Sequence, residues 1–201
     1  MPLNHSTRIK LDADTLLKND GIEALLKRAG EVIYSGSYAL NLMVWNDIDL
    51  YVVPKPNESP EQCAAQIAAL LAVRDDVDLV KVEKNIWKRM PAVPTGIYVG
   101  VKIPKPGYKL EWKLDIWIVD EEERAKNKRL IADILCKLDE PKRRLILDAK
   151  LKLMGELGRT PSMSSVHVYQ AVLEMGLTSV DEVIAHVTNL GEHRRKSTRV
   201  N

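Results

Sequence analysis

The chain has 201 residues, 45% of them hydrophobic, and its 30 Lys and Arg nearly balance 28 Asp and Glu for a net charge of +2. That length and apolar content suit one packed domain with room for a small appendage, and exclude wholesale disorder. The balanced charge argues against a dedicated nucleic-acid binder, and no apolar run reaches the roughly 18 residues of a membrane span.

The opening stretch MPLNHSTRIKLDAD has no apolar run behind its basic residues, so no secretion signal is expected and the expected location is cytoplasmic. Asp12-Ala13-Asp14 opens a helical pattern in which Leu16, Leu17, Ile22, Leu25 and Leu26 recur at turn spacing, ended by Gly30. Residues 31–35 (EVIYS) form a short β-branched strand closed by Gly36-Ser37, and 38–44 form a helical turn or short helix. Residues 47–53 (DIDLYVV) alternate as a strand up to Pro54. Ser59-Pro60 starts a helix through about Val73, with proline at a favoured first position. Residues 77–82 and 97–103 are β-rich, and 97–103 pairs with 109–119 as a hairpin around Pro104-Lys105-Pro106-Gly107. The period then changes. Helices are expected at 120–137, 140–157, 163–175 and 179–189, and the order of elements predicts an α+β fold with a C-terminal helical portion. The expected division is a core over 1–138, a helical subdomain over 139–191, and a basic, disordered tail over 192–201. Cys63 and Cys136, both in helical segments among apolar neighbours, are expected as two buried thiols in a reducing compartment.

Two of the strands contain residues that strands disfavour. Aspartate packs poorly on a half-buried pleated surface, yet the period of two puts Asp47 and Asp49 on one face, with Ile48, Leu50 and Val52 on the other. In the later strand Glu111, Lys113 and Asp115 share a face, while Leu110, Trp112, Leu114, Ile116 and Ile118 point into the core. If the two strands are neighbours, Asp47, Asp49 and Asp115 converge. Such a cluster repels itself until cations neutralise it, and two magnesium ions held by shared carboxylates would serve in-line nucleotidyl transfer. Gly36-Ser37, between a strand and a helical turn, can offer backbone N–H groups and a hydroxyl to phosphate oxygens.

Gly36-Ser37, then Asp47-Ile48-Asp49 in a strand, then Asp115 within KLEWKLDIWIV, together resemble the DNA polymerase beta-like nucleotidyltransferase superfamily. The resemblance covers residues 31–53 and 108–119. It implies a nucleotidyltransferase-type mixed sheet flanked by helices. It also implies that Gly36 and Ser37 hold an NTP, ATP foremost, while Asp47 and Asp49 ligate the triphosphate-bound metal. Asp115 would complete a second metal site, for magnesium or manganese, and help activate the attacking hydroxyl. Three departures stand out: Ser35 and Asn46 flank the motifs where other types are common, and Tyr38-Ala39 replaces the arginine of the polymerase branch. These point away from template-directed polymerisation, and the small size and balanced charge look more like the enzymes that nucleotidylate small molecules, such as aminoglycoside or lincosamide antibiotics.

Lys113 shares a face with Asp115 and is assigned to nucleotide binding; Glu111 is a weaker extra ligand or base. Lys150 and Lys152, in KRRLILDAKLKLM, could reach a triphosphate as helical-region lysines do in some relatives, but are expected as a solvated face. Of the four tryptophans only Trp117 is in phase with Asp115, and His167 and His186 are expected to be structural. The expected activity is metal-dependent transfer of an NMP from an NTP to a small-molecule hydroxyl, with nucleic acid a less favoured acceptor. Its rivals are a silent nucleotide-binding or regulatory module of the same fold, and an enzyme acting on an RNA end or a protein.

Overall fold

In a computed structural model, which describes residues 2–90, 93–157 and 165–197, five strands form one mixed sheet. They are β1 (Gly30–Tyr34), β2 (Asp47–Pro54), β3 (Leu79–Lys84), β4 (Ile97–Ile103) and β5 (Trp112–Ile118), in the spatial order β1-β2-β5-β4-β3. Every pairing is antiparallel except β2 with β5, which is parallel. The 97–103 and 109–119 pair is the expected hairpin, and Gly107 takes the left-handed conformation in its turn at φ +86°.

The helices are α1 (Pro2–Asp14), α2 (Ile22–Lys27), α3 (Gly36–Ala39), α4 (Pro60–Ala72), α5 (Ile86–Arg89), α6 (Glu121–Lys137), α7 (Glu140–Leu157), α8 (Ser165–Leu173) and α9 (Val180–Ser197), with a π-helical turn at Thr15–Asn19. The start of α4 is fixed by reciprocal capping. The Ser59 hydroxyl accepts from the Gln62 backbone N–H at 3.2 Å, the Gln62 side chain accepts from the Ser59 N–H at 2.9 Å, and Pro60 follows.

Two apolar clusters hold the molecule together. In the first, the inward residues of the sheet (Ile48, Leu50, Val99, Leu114 and Ile116) pack with Leu16, Leu17, Ile22, Leu26 and Ile67 from the N-terminal helices and α4. The second joins Ile134 of α6 to Ile146, Leu147 and Leu153 of α7, Val168 and Val172 of α8, and Val183 of α9. The stretch between α3 and β2 is shared: Tyr38, Met43 and Ile48 enter the first cluster, while Leu40, Leu42 and Val44 enter the second. This is an α+β protein, a mixed sheet flanked by helices. Among the described residues no helix is long and apolar enough to cross a membrane.

Several local expectations change. Helix begins at Pro2 rather than Asp12, and Gly21, at φ +81°, separates α2 from what precedes it. The expected helix over 38–44 stops at Ala39, because Leu42 and Val44 are drawn into the second cluster. Leu110 lies ahead of β5 and is 49% exposed instead of core. Cys63 is buried as expected, but Cys136 is exposed, on the outer side of α6. Helix α9 continues to Ser197, into the stretch expected to be a disordered tail, and residues 198–201 lie outside the described residues. Residues 163 and 164, expected to begin the third C-terminal helix, also lie outside them.

Candidate active site

The parallel pairing of β2 with β5 sets Asp47 opposite Lys113 and Asp49 opposite Asp115. Alternation sends Ile48, Leu50, Leu114 and Ile116 into the core at 0% exposure, so the four charged residues occupy the other face. The expected convergence of Asp47, Asp49 and Asp115 is therefore present. So is Lys113, whose Nζ lies 2.6 Å from Asp115 Oδ2 and 3.9 Å from Asp47 Oδ1. Glu111 pairs instead with Lys102 at 3.2 Å and does not line the cleft.

Burial, then repulsion from Asp49 and Asp115, raises the Asp47 carboxyl well above the usual carboxylate range. Burial and then Asp115 push Asp49 up to about 6. Burial opposes the charge on Lys113, but Asp47 and Asp115 outweigh it and raise its pKa. Asp47 Oδ1 is buried without a hydrogen-bond partner. A buried carboxylate oxygen is costly to leave without a partner, and three carboxylates gathered on one strand face suit a hard divalent cation. As placed, however, no three His, Cys, Asp or Glu side chains among the described residues enclose a metal position. The Lys113 ammonium stands between Asp47 and Asp115 and supplies the counter-charge there.

The Gly36-Ser37 turn packs against this cluster. The Ser35 N–H donates to Asp49 O at 3.1 Å, tying the turn to β2. Gly36 has φ +53°, and a methyl group there would collide with the Asp49 carboxylate, so the position requires glycine on both counts. Gly36→Ala is expected to lower any activity of the site by at least ~10-fold and stability by about 1–2 kcal/mol. Steady-state kinetics and urea melts check this, and unchanged values in both would show that the close approach is not needed.

Ser37 faces residues from the C-terminal helices. Lys150 Nζ donates to Ser37 Oγ at 2.8 Å and to Leu42 O at 2.6 Å, and lies 4.7 Å from the centre of the Trp45 ring. The Tyr169 hydroxyl is 2.9 Å from Ser37 Oγ. The expectation of a solvated face thus fails for Lys150, which is 0% exposed, whereas Lys152 is exposed and pairs with Asp181 at 2.7 Å. Burial lowers the Lys150 pKa to about 7, with Asp49 and Asp47 pulling the other way. The signal was in the sequence: Ile146, Leu147 and Leu153 stand at helical spacing from position 150, so Lys150 belongs to the apolar stripe of α7. Tyr98, Asn127 and Tyr169 carried no such signal. Tyr98 donates to Asp115 Oδ1 at 2.6 Å, and Asn127 Oδ1 accepts from Ser35 Oγ at 2.7 Å.

Asp47, Asp49, Asp115, the Gly36-Ser37 turn and Tyr169 line a cleft of about 400 Å³ that also has an apolar wall, with Leu130, Ile134, Val166 and Trp117. Trp117, in phase with Asp115, is part of that wall, as is Trp45. None of the described lining residues is a lysine or arginine.

A mixed sheet with paired acidic strands, a Gly-Ser turn and a helical cover is the nucleotidyltransferase-type fold. No family model matches the sequence, and no curated protein matches it. Solved structures do match. Cid1 poly(U) polymerase with MgGTP bound is 18% identical, covering 83% of this chain and 50% of that one at a TM-score of 0.56. The non-canonical poly(A) polymerase GLD-2 in complex with GLD-3 is 14% identical, covering 89% and 59% at a TM-score of 0.56. This chain thus spans about half to three-fifths of those chains. Its fold is that of the DNA polymerase beta-like nucleotidyltransferase superfamily.

Proposed function

We propose that this protein transfers an NMP from an NTP, ATP foremost, to a hydroxyl of a small molecule. The observation that carries the reading is the convergence of Asp47, Asp49 and Asp115 beside Gly36, with Asp47 Oδ1 buried and without a hydrogen-bond partner. Asp47, Asp49 and Asp115 would hold divalent cations, magnesium as in the Cid1 structure with MgGTP, or manganese. Such cations would polarise the α-phosphoryl group and lower the pKa of the attacking hydroxyl. The Gly36-Ser37 turn would receive the triphosphate, with Lys150 donating to Ser37 Oγ from behind. Lys113, once displaced from Asp115, reaches the phosphates from the strand face and balances the charge that builds up in transfer. The apolar wall of Leu130, Ile134 and Val166 excludes water, which would compete with the acceptor.

Residues 1–138 would then act as the catalytic core, with helices from 139–191 lending Tyr169 to the cleft and Lys150 to the far side of Ser37. The proposed location is the cytoplasm, where NTPs are abundant. The small-molecule acceptor is favoured by the absence of lysine and arginine among the described lining residues, since a nucleic-acid strand needs cations along its phosphates. A second reading, transfer to an RNA end, is favoured by the poly(U) and poly(A) polymerases that share the fold.

Incubation with each α-labelled NTP, magnesium, and separate small-molecule and RNA fractions of a cell extract tests the proposal. Label is expected in the small-molecule fraction, with pyrophosphate released. Label on RNA ends would move the acceptor to RNA, and no transfer with any NTP would leave a silent nucleotide-binding module.

A further inference from the structure

The face of β4 that meets the acidic cluster reads Tyr98, Gly100, Lys102, because Ile97, Val99, Val101 and Ile103 are buried on the other side. Register sets Gly100 directly opposite Asp115, and Tyr98 opposite Trp117. A side chain at position 100 would occupy the space beside Asp115; glycine leaves it open. The Tyr98 ring lies across that gap, stacked at a tilt on Trp117 with ring centres 5.0 Å apart, and its hydroxyl reaches diagonally to Asp115 Oδ1 at 2.6 Å. A methyl group on Gly100 would stand only 2.5 Å from the Tyr98 hydroxyl oxygen.

Asp115 therefore has two partners of different kinds. Oδ2 is taken by Lys113, whose side chain is 48% exposed on a flexible stem and can leave. Oδ1 is taken by a phenol fixed by its own strand, by the Trp117 ring and by the space over Gly100.

We infer that Tyr98 is a positioning residue. It pins the Asp115 carboxylate through Oδ1, so that Oδ2 is presented to a divalent cation when Lys113 withdraws, and Gly100 is the space that permits it. This rests on the metal-binding reading above. Hydrogen bonds that orient metal-ligating carboxylates typically change metal affinity or activity by about 10–100-fold when removed.

The test is Mn²⁺ binding followed by electron paramagnetic resonance with a non-hydrolysable NTP present, for the wild type, Tyr98→Phe and Gly100→Ala. Tyr98→Phe keeps the ring against Trp117 and removes only the donor; Gly100→Ala keeps the donor and displaces it. Both are expected to raise the Mn²⁺ Kd by about 10–100-fold. Transfer should fall correspondingly at low Mn²⁺ and recover as Mn²⁺ is raised, a rescue that a merely structural defect would not show. Wild-type affinity in Tyr98→Phe would overturn this inference and leave the nucleotidyltransferase reading intact. A wild-type protein that binds no Mn²⁺ would overturn both.

Discussion

Asp49→Asn and Asp115→Asn are each expected to lower nucleotidyl transfer by about 10³-fold or more while leaving the fold intact. A metal ligand lost from the site removes several kcal/mol of transition-state charge stabilisation, and each 1.4 kcal/mol is about tenfold in rate. Asparagine keeps the volume and removes the charge, so packing against Gly36 and Tyr98 survives. For Asp49→Asn, stability should move the opposite way in the metal-free protein. Burial and Asp115 raise the Asp49 pKa from 3.8 to about 6. A carboxyl whose folded pKa is raised stabilises the fold fully below its unfolded pKa, and that contribution is lost as pH rises from about 4 through about 6. At pH 7 the wild type has lost it, and Asp49→Asn is relieved of the repulsion, for a gain of about 1–3 kcal/mol. Single-turnover kinetics and metal-free urea melts read the two effects separately. Near-wild-type turnover in Asp115→Asn would mean that the third carboxylate is misassigned. Lys113→Ala, which removes a counter-charge rather than a ligand, should be milder.

Lys150→Met is expected to abolish a steep rise of stability with pH in the nucleotide-free protein. Burial lowers the Lys150 pKa from 10.5 to about 7. For a lysine depressed in this way, the stabilising contribution is complete above the unfolded pKa and is lost as pH falls toward the folded one. In the window between about 7 and 10.5 the unfolded chain binds the extra proton, so stability climbs with pH. The full climb is on the order of 5 kcal/mol, and methionine, similar in length and uncharged, should flatten it. Transfer should also fall by about 10²-fold, carried largely by KM for the NTP, because the cation behind Ser37 is gone. Urea melts of both proteins between pH 7 and 9.5 measure the difference in slope. Parallel slopes would show that Lys150 is solvated and charged throughout, contrary to its packing under Leu42 and Tyr169.

The strands bearing Asp47, Asp49 and Asp115 were legible because a period of two leaves little freedom. Once Ile48, Leu50, Leu114 and Ile116 are assigned to the core, the acidic face follows, and so does the sheet. The N-terminal helix was harder to read. Over Pro2–Asp14 its buried apolar residues are few, chiefly Ile9 and Ala13, and its polar residues mask the period. Lys150 was misread for a related reason: charge in KRRLILDAKLKLM suggests solvent, while the stripe through Ile146, Leu147 and Leu153 decides otherwise. Tyr98 lies 17 residues before Asp115, and only the hairpin register brings them together. No local pattern encodes that meeting, nor the bond from Ser35 to Asn127.

The stretch from Tyr38 to Ile48 laces the two apolar clusters together by entering them in turn. At one end of this lacing is the Gly36-Ser37 turn, and at the other is Asp47. Any rocking of the helical half against the sheet must therefore draw on the same eleven or so residues that hold the Gly36-Ser37 turn and Asp47 at a fixed spacing. Opening of the cleft and loosening of the turn against the first carboxylate become a single event, and so, if the site takes a nucleotide as proposed, does loosening of its grip. Product release and loss of site geometry would share one barrier, and stiffening this lacing would hold a spent nucleotide longer as well as a fresh one more firmly.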